Sequence, residues 1–472
     1  MMNLGKIPIK IPLMGLIMEN TPKGVGIMMN TLDLAQTGEL IRKIRKERGL
    51  RLEDLADENI SPATISNIER GIPHVHVDKI RYLLNKLDLD MEQLPELITD
   101  KQEEMETMKL RLVSIESMID CGNVDQAIDE LKTFSVPDDH PYSAYISLLR
   151  GKSQVKKRKW RRAERELLNA IRIANQNPQA KSSNIAAGSY NELSIISYFN
   201  NNVEKALDLV EKGLEVFMED GERSYFKSVL LGNKALYLEH LDRVPEALRV
   251  VEDLWDTIPE IPSIETVLNL YELRSVLLRR SGMYEEAINY AKEGIEIGRI
   301  NRQTGRLFHL WTALGSVYLN MKKWNKAEIA LKTALSVSEN MLYPNGLTTV
   351  YTKLGILYMN QQKWEEAHKA MSEARKTGER TNDLRRLALA YLVSGDCHRA
   401  EGDDSKAVPY YQQALQLARK QRNKKREYAA LFRLAQCVEH TNEQEFHQYV
   451  EKMYKVQVEL SQPEGMGYEE IE

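Results

Sequence analysis

The chain has 472 residues, a formal net charge of −4 and 42% hydrophobic residues. That is enough for roughly two to four soluble globular domains, and it excludes both a disordered chain and a bulk polyanion binder. The three cysteines, Cys121, Cys397 and Cys437, lie far apart inside helical patterns with no CxxC or Cys/His spacing; no metal site, disulfide framework or cofactor is expected, and the thiols fit a reducing cytoplasm.

The N-terminal stretch "IPIKIPLMGLIM" is apolar, but Pro8, Lys10, Pro12 and Gly15 break it well short of the roughly 20 residues a membrane helix needs. No small-residue cleavage site follows it, so it is not read as a signal peptide. Met1, Met2, Met14, Met18, Met28 and Met29 offer several starts, and patterned sequence begins only after Met29. Residues 1–30 are therefore expected to be a disordered tail or an over-long reading of the start, leaving domains at 31–100 and 101–472.

"TGELIRKIRKERGL" has Leu40, Ile41 and Ile44 at helical spacing, Thr37 as N-cap and Gly49 as stop. "RLEDLADEN" predicts a second, short helix with Leu52, Leu55 and Ala56 inward, after which Asn59 and Ile60 turn into Ser61. Ser61 caps a third helix whose first position holds Pro62, where the missing N–H costs nothing. That helix, in "ISPATISNIERG", buries Ile65 and Ile68, ends at Gly71 and turns Ser, Thr and Asn outward. Two short helices joined by a tight turn, the second polar outside, make a helix-turn-helix. Two more helices are expected around Val77–Leu87 and Met91–Ile98.

Residues 37 to about 98 resemble the Xre/Cro type of helix-turn-helix domain, on the elements "LA", "IS" and "ISxIExG". The turn between Ala56 and Ser61 is one residue shorter than in the phage repressors, as in peptide-pheromone regulators of the PlcR sort. The resemblance implies that the third helix lies in the major groove of double-stranded DNA, with Pro62, Ala63 and Asn67 against bases, Thr64 beside them, and Arg51 and Ser61 near phosphates. It also implies an ion pair of Arg45 with Glu69. The chemistry agrees, because Asn reads adenine bidentately while Ala and the Thr methyl meet a thymine methyl. Acidic residues slightly outnumber basic ones across the five helices, and Lys43, Arg45, Lys46, Arg48 and Arg51 gather on and just after the first. Phosphate contacts supply most non-specific affinity, so a homodimer on a two-fold repeated operator is expected. The alternative is a solvated helix of a protein-binding domain.

Beyond residue 100 the pattern "aromatic or Val, two residues, Ala" recurs, with Ala287, Ala327, Ala367 and Ala407 forty residues apart. Ala247, Ala206, Ala163 and Ala127 continue it upstream at similar spacing. Gly315, Gly355 and Gly395 stand twelve residues before three of these alanines. Small residues at two fixed places in a helix pair let the helices approach closely, and Trp311, Leu314, Gly315, Tyr318 and Ala327 match the tetratricopeptide pattern with a period longer than usual. About nine helix pairs are expected, the last degenerate with His447 in place of Ala, in an all-α chain: a five-helix Xre-type domain, then a right-handed tetratricopeptide-like solenoid whose first helices make its inner face.

No GxGxxG, Walker or HExxH pattern is present, and acidic pairs such as Glu285–Glu286 sit on helix starts, so the chain is not read as an enzyme. The basic runs at 156–162 and 419–426 are read as solvated, with contact to DNA phosphates the alternative for the first. An Xre-type domain followed by repeats of the Rap and NprR kind resembles the RRNPP group, cytoplasmic receptors for short peptide pheromones in quorum sensing. This implies a transcription regulator whose repeats close around an extended peptide; the alternative is a Rap-like scaffold for a response regulator or other partner, with DNA binding secondary. In register with Gly315, the inward positions are Asn269, Glu272 and Arg279; His309, Thr312, Ser316 and Asn320; Thr349, Thr352 and Asn360; Asp396 and Arg399; with Asn191 and Asn233 earlier. Asn offers a donor and an acceptor together, so a row of them can grip a peptide backbone, and the charged members would select termini or side chains. A wetted polar face with no ligand is the alternative for each.

Overall fold

In the computed structural model the described residues, 34–73, 75–177, 181–339 and 346–461, are helices and turns with no strand among them. The expected tail at 1–30 lies outside the described residues. The chain divides into two compact units, 1–159 and 160–472.

The first unit contains α1 (Leu34–Glu47), α2 (Leu52–Leu55), α3 (Pro62–Glu69), α4 (Val77–Lys86), α5 (Leu94–Asp120), α6 (Val124–Lys132) and α7 (Ser143–Lys156). Ser61 caps α3 by accepting the Thr64 N–H at 3.1 Å, and Pro62 opens the helix. The turn before it is fixed by Asp57, whose carboxylate accepts the N–H groups of Asn59 and Ile60 and the Tyr82 hydroxyl and pairs with Lys86. Leu40, Ile41, Leu55, Ile60, Ile65, Ile68, Ile80, Leu83 and Leu84 form the core between α1, α3 and α4. At the α1–α3 crossing the backbones nearly touch: a Cβ on Gly38 would lie 2.2 Å from the Ile68 carbonyl oxygen.

Two expectations are corrected here. Thr37 is not an N-cap; α1 is already helical from Leu34, and Thr37 is buried within it. The helix expected to end at Ile98 runs on to Asp120, because no Pro or Gly interrupts it between Pro95 and Gly122 and Leu112, Ile115 and Ile119 give it a second buried stripe.

The second unit begins with α8 (Trp160–Gln176) and continues as helix pairs: α9 (Ile185–Phe199) with α10 (Val203–Glu215), α11 (Phe226–His240) with α12 (Val244–Trp255), α13 (Ile264–Arg280) with α14 (Tyr284–Ile300), α15 (Thr304–Asn320) with α16 (Trp324–Ser338), α17 (Leu347–Asn360) with α18 (Trp364–Thr381), α19 (Leu384–Ala400) with α20 (Asp404–Lys420), and α21 (Lys424–Val438) with α22 (Glu443–Ser461). Each helix packs on its pair partner, and the first helices of adjacent pairs pack on one another. Ala206, Ala247, Ala287, Ala327, Ala367 and Ala407 have no exposed surface. The small residues are needed where the helices meet, since a Cβ on Gly355 would strike the Met371 sulfur at 2.3 Å.

The turn inside four consecutive pairs, α13–α14 to α19–α20, repeats too. Gly282, Lys322, Gln362 and Gly402 are left-handed, with φ of +80°, +57°, +57° and +86°. The next N–H reaches back to the carbonyl five residues earlier at 2.9–3.0 Å, which closes the helix end in a Schellman motif. Between repeats, Arg274 of α13 lies between the rings of Trp255 and Tyr290, 4.1 and 4.3 Å from their centroids. This supplies an electrostatic partner for a guanidinium whose Nε has none.

Early and late pairs also touch. The Asn201 side chain donates to the Gln421 carbonyl at 3.0 Å, Lys425 pairs with Asp242 at 3.1 Å, and Arg385 donates to His240. Arg426 in turn donates to the Arg385 carbonyl. The turns after α9 and α11 thus meet α19 and the α20–α21 turn.

Candidate functional site

On α3, Pro62 and Ala63 are exposed and Thr64 and Asn67 partly so, on the face opposite Ile65 and Ile68. Ser61 is exposed but its hydroxyl caps the helix and touches the Thr64 hydroxyl at 2.9 Å. Arg51 is exposed at the start of α2, its side chain making no hydrogen bond or ion pair with the described residues. Asn67 is engaged: its carbonyl oxygen accepts from Arg70 at 2.5 Å. That oxygen keeps a second lone pair and the amide NH2 stays free to donate, so the contact orients Asn67 without closing it. Arg70 lies just past the last residue of α3, and its spacing three residues after Asn67 puts the two side chains on one face.

Arg45 and Glu69 meet twice, Nε to Oε1 at 2.5 Å and a terminal nitrogen to Oε2 at 2.9 Å, with side chains only 11% and 6% exposed. The other terminal nitrogen donates to the Leu50 carbonyl. The hydrogen bond to Glu69 raises the Arg45 pKa against the opposing effect of burial. The pair fastens α1 to the end of α3 and so sets the tilt of α3.

In the second unit the asparagines expected inside form a short row. Asn233 donates to the buried Asn191 at 2.7 Å, and Asn269 accepts from Arg306 at 3.0 Å. Arg306 also pairs with Glu265 and, at 3.6 Å, with Glu272; His309 lies 3.8 Å from the same Glu272. Burial lowers the His309 pKa, with Glu272 opposing, which favours a neutral ring able to donate and accept. Thr349 is partly exposed at the start of α17.

Several expected positions are engaged elsewhere. Ser316 and Thr352 are buried, and their hydroxyls, like that of Thr312, donate to the carbonyl one turn back, the usual outlet for a hydroxyl inside a helix. Asp396 is held by Arg433 at 2.6 Å and by the Tyr411 hydroxyl, and Arg399 by Gln436 and Asp404. Asn320 and Asn360 end their helices exposed, Asn360 bonded to the Ile356 carbonyl.

Arg279 and Lys353, both partly exposed, have no paired acid among the described residues, as is also true of Arg274, Arg385 and Arg426. The Arg279 Nε is buried and unpartnered, and burial lowers its pKa. Lys353 makes no hydrogen bond or ion pair among the described residues; burial, then the charge of Arg279, pushes its ammonium down to about 8. Lys353 was missed although the register could have shown it: the equivalent residues forty positions either side are Ala313 and Val393, both 5% exposed. Lys353 shares that register position but is itself partly exposed. His240 was missed as well. Burial and four arginines, Arg385 foremost, push its pKa down to about 3, so a neutral ring accepts from Arg385 and shares a 2.8 Å hydrogen bond with Tyr198.

A helix-turn-helix family model matches residues 41–94, and tetratricopeptide-repeat models match 308–341 and 346–420. No curated protein matches the chain by sequence. Among solved structures, a Rap protein complexed with competence and sporulation factor is 14% identical, with a TM-score of 0.57 over 75% of this chain and 99% of its own. The apo form of the quorum sensor NprR from B. thuringiensis is 18% identical, with a TM-score of 0.55 over 75% of this chain and 99% of its own. NprR in complex with its cognate peptide NprX gives 16% and 0.53, over 75% and 98%. No helix among the described residues is long and apolar enough to cross a membrane. The chain joins a helix-turn-helix domain to a tetratricopeptide-repeat domain that is similar in fold to those of Rap and NprR.

Proposed function

We propose that the protein is a cytoplasmic transcription regulator that binds operator DNA as a homodimer through α3 and is switched by a short signalling peptide held along the first helices of the repeat domain. The observation that carries the peptide half is the asparagine row of Asn191, Asn233 and Asn269 together with the unpaired cations Arg279 and Lys353. An extended peptide brings unpaired backbone N–H and C=O groups, which side-chain amides satisfy, and a carboxylate, which pairs with partly buried cations left without an acid. The DNA half is supported by the exposed polar face of α3 and by the free Arg51.

The test captures ligands from a pool of short synthetic peptides on the full chain, and selects binding sites from random double-stranded DNA. The expected result is one enriched peptide class that Asn233→Ala with Asn269→Ala abolishes, and an enriched two-fold repeated DNA sequence. Recovery of neither would overturn the reading and leave Rap-like binding of a protein partner.

A further inference from the structure

We propose that His368, His398 and Glu401 form a site for one divalent transition metal ion, zinc by its chemistry, between two consecutive repeats. His368 lies in the second turn of α18, His398 in the last turn of α19, and Glu401 just beyond that helix. The i, i+3 spacing of His398 and Glu401 puts both on one face, and the short turn between α18 and α19 brings His368 against them. One ligand atom from each lies within 4.8 Å of the other two.

The separations are compatible with a shared metal ion, although the shortest of them is also a hydrogen bond. Ligands at about 2.0–2.1 Å around a tetrahedral ion stand roughly 3.3 Å apart. Glu401 Oε2 is 2.8 Å from His368 Nε2 and 3.6 Å from His398 Nδ1, so the two distances bracket that value. A hydrogen bond to His368 leaves the second imidazole, whose ring centroid is 4.4 Å from the first, with no bonded partner for Nδ1. The His398 ring is braced on its other side by stacking on Tyr410, with centroids 5.2 Å apart and planes 15° apart. The nearby cation Lys406 is neutralised by Asp403 at 2.7 Å.

Two imidazoles and one carboxylate select a borderline ion such as Zn²⁺, whereas Mg²⁺ and Ca²⁺ require oxygen ligands. Three protein ligands leave a fourth position for water, and Glu401 is exposed, so the ion has a path in. Bound metal would tie α18 to α19, the helix that carries Arg385 and Arg386.

The full chain, stripped with chelator and desalted, is titrated with zinc sulfate by calorimetry, and metal content after dialysis is measured by mass spectrometry. The expected result is one zinc per chain, with affinity weakened at least roughly tenfold in His368→Ala and in His398→Ala, and no heat from magnesium chloride. Circular dichroism confirms that each variant is folded, and Glu401→Gln, which keeps the side-chain shape, serves if an alanine variant is not. No zinc uptake by the wild type, or equal uptake by the His368→Ala, His398→Ala double variant, which would place the ion on other residues, overturns the proposal.

Discussion

Replacing Gly38 by Ala inverts the sign that helix propensity assigns. In a helix interior Ala is favoured over Gly by about 1 kcal/mol, so on α1 alone the change should stabilise. The new Cβ, however, would lie 2.2 Å from the Ile68 carbonyl oxygen and 3.0 Å from the carbonyl of Glu69, all backbone atoms that no rotamer change can move. Restoring ordinary contact requires α1 and α3 to part by about 1 Å, which disturbs the packing of Ile41 on Ile65 and Ile68 and the Arg45–Glu69 pair. Overpacking costs about 1–3 kcal/mol, and more where the backbone must shift; taking the upper end and subtracting the propensity gain leaves a net loss of about 2 kcal/mol. Hydrogen exchange on the full chain reads this directly, as roughly 30-fold faster exchange in peptides of α1 and α3, with the second unit unchanged. All five tryptophans, Trp160, Trp255, Trp311, Trp324 and Trp364, lie in that second unit, so the fluorescence-detected urea transition should not move. A Gly38→Ala chain as protected as the wild type, or more so, would refute the close-crossing argument.

Lys353→Met should stabilise the second unit. The folded pKa near 8 lies below the unfolded value near 10.5, so the unfolded state binds more protons between those values and wild-type stability rises with pH across that window; the gain in the variant, on the order of 1–3 kcal/mol below pH 8, should vanish by about pH 10.5 in urea titrations. Lys322→Gly removes a side chain from a left-handed turn and should raise the unfolding free energy by about 0.5–1 kcal/mol after the entropy of the unfolded glycine is subtracted, read as a higher urea midpoint; an unchanged or lowered midpoint contradicts the turn assignment. Asn67→Ala should relax base preference at one operator position at a cost of about 1–3 kcal/mol, whereas Arg51→Ala should weaken all sequences alike and lower the salt slope; gel shifts in which the two variants behave identically would separate α3 from base reading.

The repeat was legible because its signals are steric. Alanine at forty-residue spacing and glycine twelve residues before it mark places where only a small residue fits, and Ala287, Ala327 and Ala367 are wholly buried as such positions must be. The helix-turn-helix was legible for a similar reason, since Ser61, Pro62 and Gly71 each answer a local backbone need. Partner choice among polar side chains was not. Asp396 and Asn269 both read as inward polar residues, yet one is held by Arg433 and the other by Arg306 from a different helix, and one helix's own sequence does not say which cation will reach it. Lys353 was hidden by the opposite error: its residue type is ordinary on a surface, and only the register of its neighbours shows that it lines up with the buried Ala313 and Val393.

The contacts from Asn201, His240 and Asp242 to Gln421, Arg385 and Lys425 change what kind of object the repeat domain is. A stack whose members touch only their neighbours is quasi-one-dimensional and can lose end repeats singly. Here one hydrogen bond spans 220 residues of sequence, so α19 to α21 cannot fray without detaching from α9 and α11. The array behaves as a hoop, and unfolding should be more all-or-none than in an open stack. Breaking the clasp at His240 and Asp242, as in Asp242→Ala, should therefore make unfolding of the array less cooperative rather than lower the stability of one repeat alone.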